Sequence, residues 1–206
     1  MDGDGRAAGH GGRVQEGRLP RGSRGLRTSG GRKDLMPHGR VAISQITFRD
    51  SAPEEDAAIR ELEARAFGRE EEADLALDLM AGPVETLSLV AVREGRLVGH
   101  LLFSRIEGPE RCLALAPLAV DPDFREMYVG TELVRHGLKR AREAGWKSVF
   151  VLGEPNYYGR FGFRSELADP AVVEWQGPFL LAMELEPDAL AGWSGPLVYP
   201  EPFSKV

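Results

Sequence analysis

The longest apolar run of the chain, Cys112–Val120, is interrupted by Pro117. Proline cannot donate to a β ladder, so a strand here lies at an edge or carries a bulge at that point. A short loop follows. Beyond it, Val129, Leu133, Val134, Leu138 and Ala141 share one face of a helix expected over Tyr128–Ala144, with Gly145 as its stop. A broken strand, a tight loop and a helix start leave unpaired N–H groups at the positive end of a helix dipole, a natural place for an anion. The segment has no Gly-Lys-Ser/Thr and no Gly-x-Gly-x-x-Gly, which sets aside an ATP loop and a dinucleotide fold.

The remaining signals alternate between strand and helix. Val41–Arg49 alternates as a first strand. Ser51 and Glu54 have capping-box spacing before a helix whose apolar face is Ile59, Leu62, Ala66 and Phe67, with Gly68 as its stop. A second helix, Glu70–Met80, begins with acids that suit the helix dipole. Strands are expected at Thr86–Val92, Arg96–Ile106 and Arg111–Val120, the first two joined at Glu94-Gly95. Lys147–Leu152 reads as a short buried strand, Asn156–Arg160 as about one helical turn, and Phe179–Leu185 as a last strand. Glu186–Val206, rich in proline, reads as irregular. The expected class is α/β (α+β), a mixed sheet with flanking helices, antiparallel in its first half.

Composition divides the chain near residue 40. Residues 1–40 hold nine Lys or Arg against four Asp or Glu, with 11 of the 25 glycines and few apolar side chains. Such a stretch cannot offset the entropy of ordering it, so 1–40 is expected to be a disordered Gly/Arg-rich arm, with Met36 a candidate start. The expected folded domain is 41–206, which carries 17 Lys or Arg against 28 Asp or Glu. An acidic body argues against nucleic acid as a partner, since phosphate binding needs clustered cations. The arm's Arg-Gly pairs leave nonspecific RNA contact as a third reading, though no aromatic interleaves them. No apolar stretch approaches the ~20 residues of a membrane helix and no secretory signal is evident, so a cytoplasmic protein without a membrane partner is expected. The single cysteine, Cys112, is read as a small buried side chain. No metal-ligand spacing is present.

The residues from 117 to 163 carry a more specific signal. Val120, Pro122, Arg125, Gly130 and Leu133 stand at the spacing of the cofactor motif of GNAT superfamily N-acetyltransferases, and Tyr158, Gly162 and Phe163 match the Tyr-x-x-x-Gly-Phe ending of their last helix. The strings LGEPNYYGRFGF and MELEPDALAGWSGPLVYP resemble one bacterial subgroup of these proteins. The resemblance covers about residues 43–203. It implies a GNAT-like fold with a splayed strand pair, and transfer of an acetyl group from acetyl-CoA to a primary amine on a small molecule or peptide. Backbone groups of Leu118, Ala119 and Val120 are expected along the pantetheine arm. Arg125, Glu126, Met127, Tyr128, Val129, Gly130 and Thr131 are expected around the pyrophosphate, with Tyr158 as general acid for the leaving thiolate. Homodimers are common in the family.

The sequence departs from the family pattern in two places. Tyr128 stands where the family has its first motif glycine, which leaves a non-catalytic acyl-CoA-binding or regulatory module as the alternative function. The strand before the last helix contains no acid, so the amine's proton leaves through water, or with help from Glu154 or His100. On its own terms His100 reads as a satisfied structural histidine.

Overall fold

In the computed structural model, which describes residues 45–205, the apolar face expected on the long helix is buried as α3, Val129–Glu143. Val129, Leu133, Val134, Leu138 and Ala141 all lie in the main core. Each such burial is worth about 1.5–3 kcal/mol for the larger side chains. The helix approaches the sheet closely at Gly137, which has no side chain: a Cβ there would stand 2.5 Å from Phe103 and 2.6 Å from Leu101.

Those two residues belong to β3, Arg96–Arg105, which is buried on both faces over most of its length. It is a middle strand of a six-stranded sheet. The others are β1 (Thr47–Asp50), β2 (Thr86–Arg93), β4 (Cys112–Val120), β5 (Ser148–Leu152) and β7 (Leu180–Glu184). Their order is β1-β2-β3-β4-β5-β7, and every neighbouring pair is antiparallel except β4 with β5. Two-residue strands β6 (Ala171–Val172) and β8 (Gly195–Pro196) pair separately.

Alternation along the strands separates two layers of side chains. Leu89, Ala91, Leu101 and Phe103 face α3. Val90 and Ala119 meet Ile59 and Leu62 of α1 (Asp56–Phe67), and Leu102 meets Leu75, Ala76 and Leu79 of α2 (Glu71–Ala81). Gly68, at φ +75°, ends α1 by donating its N–H to the Ala64 carbonyl, as its place in the sequence predicts.

The capping box sits one residue later than expected. Glu55 reaches back to the Ala52 N–H at 2.8 Å, while Ser51 hydrogen-bonds the Ser88 hydroxyl at 2.7 Å. Residues after β7 hold more structure than their prolines suggest. Leu190 and Leu197 are buried beside Phe150, with Trp193, Tyr199 and Phe203 packed against that cluster. Among the described residues the first strand is Thr47–Asp50, and both the expected strand start at Val41 and the arm expected over 1–40 lie outside the described residues. Among the described residues no helix is long and apolar enough to cross a membrane.

Candidate active site

The break expected at Pro117 is present as two coupled irregularities. Leu101 pairs with Leu118, but Phe103 pairs with Leu115, so β4 holds one extra residue around Ala116 and Pro117. On its other side β4 pairs with β5 only from Cys112 to Ala114. Beyond Ala114 the two strands part, and the β4 edge there has no strand partner among the described residues.

The loop after β4 is pinned from below. Asp121 is buried and accepts hydrogen bonds from the Asp123 N–H at 3.0 Å and from Arg96 at 2.5 Å, with Arg65 of α1 at 3.4 Å. Arg125 crosses to α1 and donates to the Ala66 carbonyl at 2.6 Å. The chain then enters α3 through Tyr128, at φ +60° and ψ +14°. This left-handed conformation costs a residue with a Cβ about 1–2 kcal/mol, and it explains why a glycine suits the position. The Tyr128 ring is 68% exposed.

A cavity of about 490 Å³ opens at this loop, lined by Leu118, Val120, Arg125, Glu126, Gly130 and Thr131, with Tyr128 at its rim. The first amides of α3 have no carbonyl one turn back to bond. Of the remaining expected residues, Ala119 and Val129 bury their side chains in the core. The Met127 N–H is bonded to the Phe124 carbonyl at 3.2 Å, and the Met127 side chain packs on the core. Ala66 and Phe67 of α1, with Tyr157 and Arg160, complete the cavity, and motif spacing singled out none of the four. Arg160 lies with its guanidinium 4.3 Å from the Tyr157 ring centre. The Tyr157 hydroxyl reaches the helix start, where a Cβ on Gly130 would stand 3.0 Å from it.

Tyr158 points the other way, into a second cavity of about 400 Å³ that fills the gap between β4 and β5. Leu118 and Phe67 line both cavities. Tyr158 and Tyr157 belong to one short helical turn, α4 (Pro155–Tyr158), with ring centres 4.9 Å apart and nearly perpendicular planes. Burial, with Tyr157 beside it, pushes the Tyr158 hydroxyl well above its ordinary value, so it holds its proton at neutral pH.

The second cavity has walls that the sequence pattern did not mark. Leu75, Pro117, Phe150, Trp175, Tyr199 and Phe203 supply most of its apolar lining. Arg69 and Glu72 close an end, joined by an ion pair through Oε1 of Glu72. Glu72, one of the acids expected to serve the helix dipole, is only 9% exposed.

Neither residue named for the amine's proton lines these cavities. Glu154 is exposed at the start of α4, where its carbonyl accepts the Tyr157 and Tyr158 N–H groups at 3.0 Å. His100 is fully buried, with Nδ1 2.5 Å from Glu63 and Nε2 3.0 Å from the Ser88 hydroxyl. Both ring nitrogens have partners, as a structural histidine requires. Burial raises the Glu63 carboxyl above its ordinary value, and the hydrogen bond to His100 offsets this only in part. Cys112 is buried, which pushes its thiol up to about 11. Among the described residues no group of three or more His, Cys, Asp or Glu is placed to hold a metal ion.

Residues 56–163 match the Acetyltransferase (GNAT) family. N-acetyltransferase YjhQ of Escherichia coli is 41% identical over 133 residues, covering 60% of this chain and 72% of YjhQ. N-acetyltransferase YhbS of the same organism is 35% identical over 139 residues, covering 66% and 81%. The crystal structure of YhbS in complex with CoA superposes with a TM-score of 0.73 at 32% identity, over 78% of this chain and 92% of that one. A GNAT family acetyltransferase from Brucella melitensis, in complex with acetyl-CoA, gives 0.65 at 28% identity, over 77% and 97%. The parted strands, the pinned loop and the sequence similarity agree, and the chain belongs to the GNAT acetyltransferase family.

Proposed function

We propose that the protein transfers an acetyl group from acetyl-CoA to a primary amine. The observation that carries this is the meeting of two cavities at Leu118, where β4 has left β5. One cavity has the chemistry of a phosphate site and the other holds a protonated phenol.

The residues fit the group. The open amides at the start of α3, with Arg125 and Arg160, suit a pyrophosphate. The unpartnered edge of Leu118, Ala119 and Val120 suits the amide-bearing pantetheine arm. Acetyl-CoA supplies an acyl group activated as a thioester. At the reacting end, an N–H near Leu118 takes the charge that develops on the acyl oxygen, and donors of this kind are worth roughly 3–4 kcal/mol each. Tyr158 gives its proton to the departing sulfur.

Tyr128 leaves this function intact. Its backbone has the conformation a glycine would take, and its ring lies mostly in solvent. The alternative of a binding module without turnover is separated by assay. Acetyl-CoA at 100 times its dissociation constant adds roughly 2.7 kcal/mol of stability, read as a higher melting temperature. Coenzyme A release in the presence of an amine panel then reports turnover. Binding without release on any amine supports the module. No thermal shift and no heat of binding at millimolar acetyl-CoA overturns both.

A further inference from the structure

The second cavity is chemically one-sided. Trp175, Tyr199 and Phe203 form a continuous edge-to-face ladder along one wall, with ring centres 5.0 and 5.1 Å apart. Leu75, Pro117 and Phe150 also line it. Against this apolar lining the cavity offers one carboxylate, Glu72. Its Oε1 is engaged by Arg69, while Oε2 is shut off from water and has no hydrogen-bond partner among the described residues. A carboxylate oxygen buried without a partner is costly, and a cationic group in the cavity supplies what it lacks. The last torsion of a glutamate is broad, so the carboxylate can turn an oxygen toward the cavity in exchange for part of its Arg69 contact.

Resting on the acetyl transfer proposed above, we infer that the acceptor is a primary amine on a short arm from a flat apolar ring. The ring lies along the Trp175–Tyr199–Phe203 wall and the ammonium sits on Oε2 of Glu72. The volume of about 400 Å³ is near the small end for ligand sites and takes one ring system with a short arm. A polyamine or an aminosugar needs several acceptors along its length, and one carboxylate amid aromatic side chains leaves most of its polar groups unpaired.

The proton count closes with the groups present. The bound ammonium gives one proton to Glu72, and the freed lone pair forms the C–N bond as the C–S bond breaks. The sulfur leaves with the Tyr158 proton. The second proton of the nitrogen returns to the Tyr158 oxygen, and Glu72, turned into the cavity, passes its own to the water that refills the cavity once the amide product has left.

The test uses 2-phenylethylamine, ethylamine and spermidine on the full chain, by calorimetry with coenzyme A present and by coenzyme A release from acetyl-CoA. The expected kcat/KM for 2-phenylethylamine exceeds that for ethylamine by 100-fold or more, and spermidine is no better than ethylamine. Glu72→Gln keeps the side chain's volume and weakens 2-phenylethylamine binding at least tenfold, leaving acetyl-CoA binding unchanged. Trp175→Ala, at a partly exposed position, cuts the preference for the ring over ethylamine while acetyl-CoA binding holds, with only the small loss of stability expected for its edge-to-face contact with Tyr199. Equal rates on ethylamine and 2-phenylethylamine, preference for spermidine, or unchanged amine binding in Glu72→Gln overturns this acceptor while leaving acetyl transfer standing. Absence of any coenzyme A release overturns the acetyl-transfer function, and calorimetry of 2-phenylethylamine still decides the pocket: no heat refutes it.

Discussion

The ring of Tyr158 lies directly over the backbone of Gly153, at the end of β5. A Cβ added to Gly153 would meet Cε2 of the tyrosine far inside van der Waals contact and stand 2.9 Å from its Cδ2. Gly153 thereby sets where the phenol points. The variant Gly153→Ala is expected to push the ring aside, lower kcat and cost about 1–3 kcal/mol of stability, the usual range for overpacking. Added to Tyr158→Phe, it should lower kcat little further. Steady-state kinetics of the two single variants and the double variant, with urea unfolding of each, measure this. Two full and independent losses in the double variant would show that Gly153 acts otherwise.

Tyr158→Phe removes only the hydroxyl. If the phenol protonates the leaving sulfur, kcat falls by about 10²–10⁴-fold while acetyl-CoA affinity holds. An unchanged kcat would remove Tyr158 from the chemistry.

Tyr128→Gly tests the strained entry to α3. Glycine takes φ +60° freely, while its greater loss of chain entropy offsets part of the relief. The net expectation is a stabilisation of about 0.5–1 kcal/mol, with acetyl-CoA affinity held or raised. Chemical denaturation and calorimetry check both. Weaker binding would make the ring an adapted contact with the acyl donor.

The Glu63–His100 pair predicts a pH dependence. Folding raises the Glu63 carboxyl, so between its ordinary and its raised value the native state keeps a proton that the unfolded state has lost. This contribution is complete below the ordinary carboxylate range and is lost as pH rises through the raised value. Glu63→Gln cannot titrate and should flatten that part of the stability profile. Urea unfolding of both proteins between pH 4.5 and 8 shows the difference, and parallel profiles would refute it.

Local signals in the sequence were legible where one physical cause dominated. The α3 face is a plain helical period. Pro117 has no N–H to give, and the strand pairing fails beside it. Gly68 ends α1 because a left-handed residue is needed there. The cap slipped by one because Glu55 stands three residues after Ala52 just as Glu54 does after Ser51, and packing gave Ser51 another partner in Ser88. Glu72 read only as one of the acids suited to the start of α2, because the distant side chains that share its cavity, among them Pro117, Phe150 and Tyr199, leave no mark on its own helical spacing. Trp175, Tyr199 and Phe203 follow no period at all. They are brought together by the path of irregular chain around Phe150, and no spacing rule reports such a path.

The second cavity joins a stretch of chain that the family model matches to one that lies beyond that match. The loop before α3 and Tyr158 fall inside the segment that the family model matches, which ends at residue 163. Trp175, Tyr199 and Phe203 come after it. Grafting residues 164–205 from a relative onto this scaffold would therefore exchange most of the aromatic wall while leaving the acyl-donor machinery in place. Proteins alike through residue 163 can differ in what they acetylate, and the inheritance of donor chemistry carries no information about the recipient.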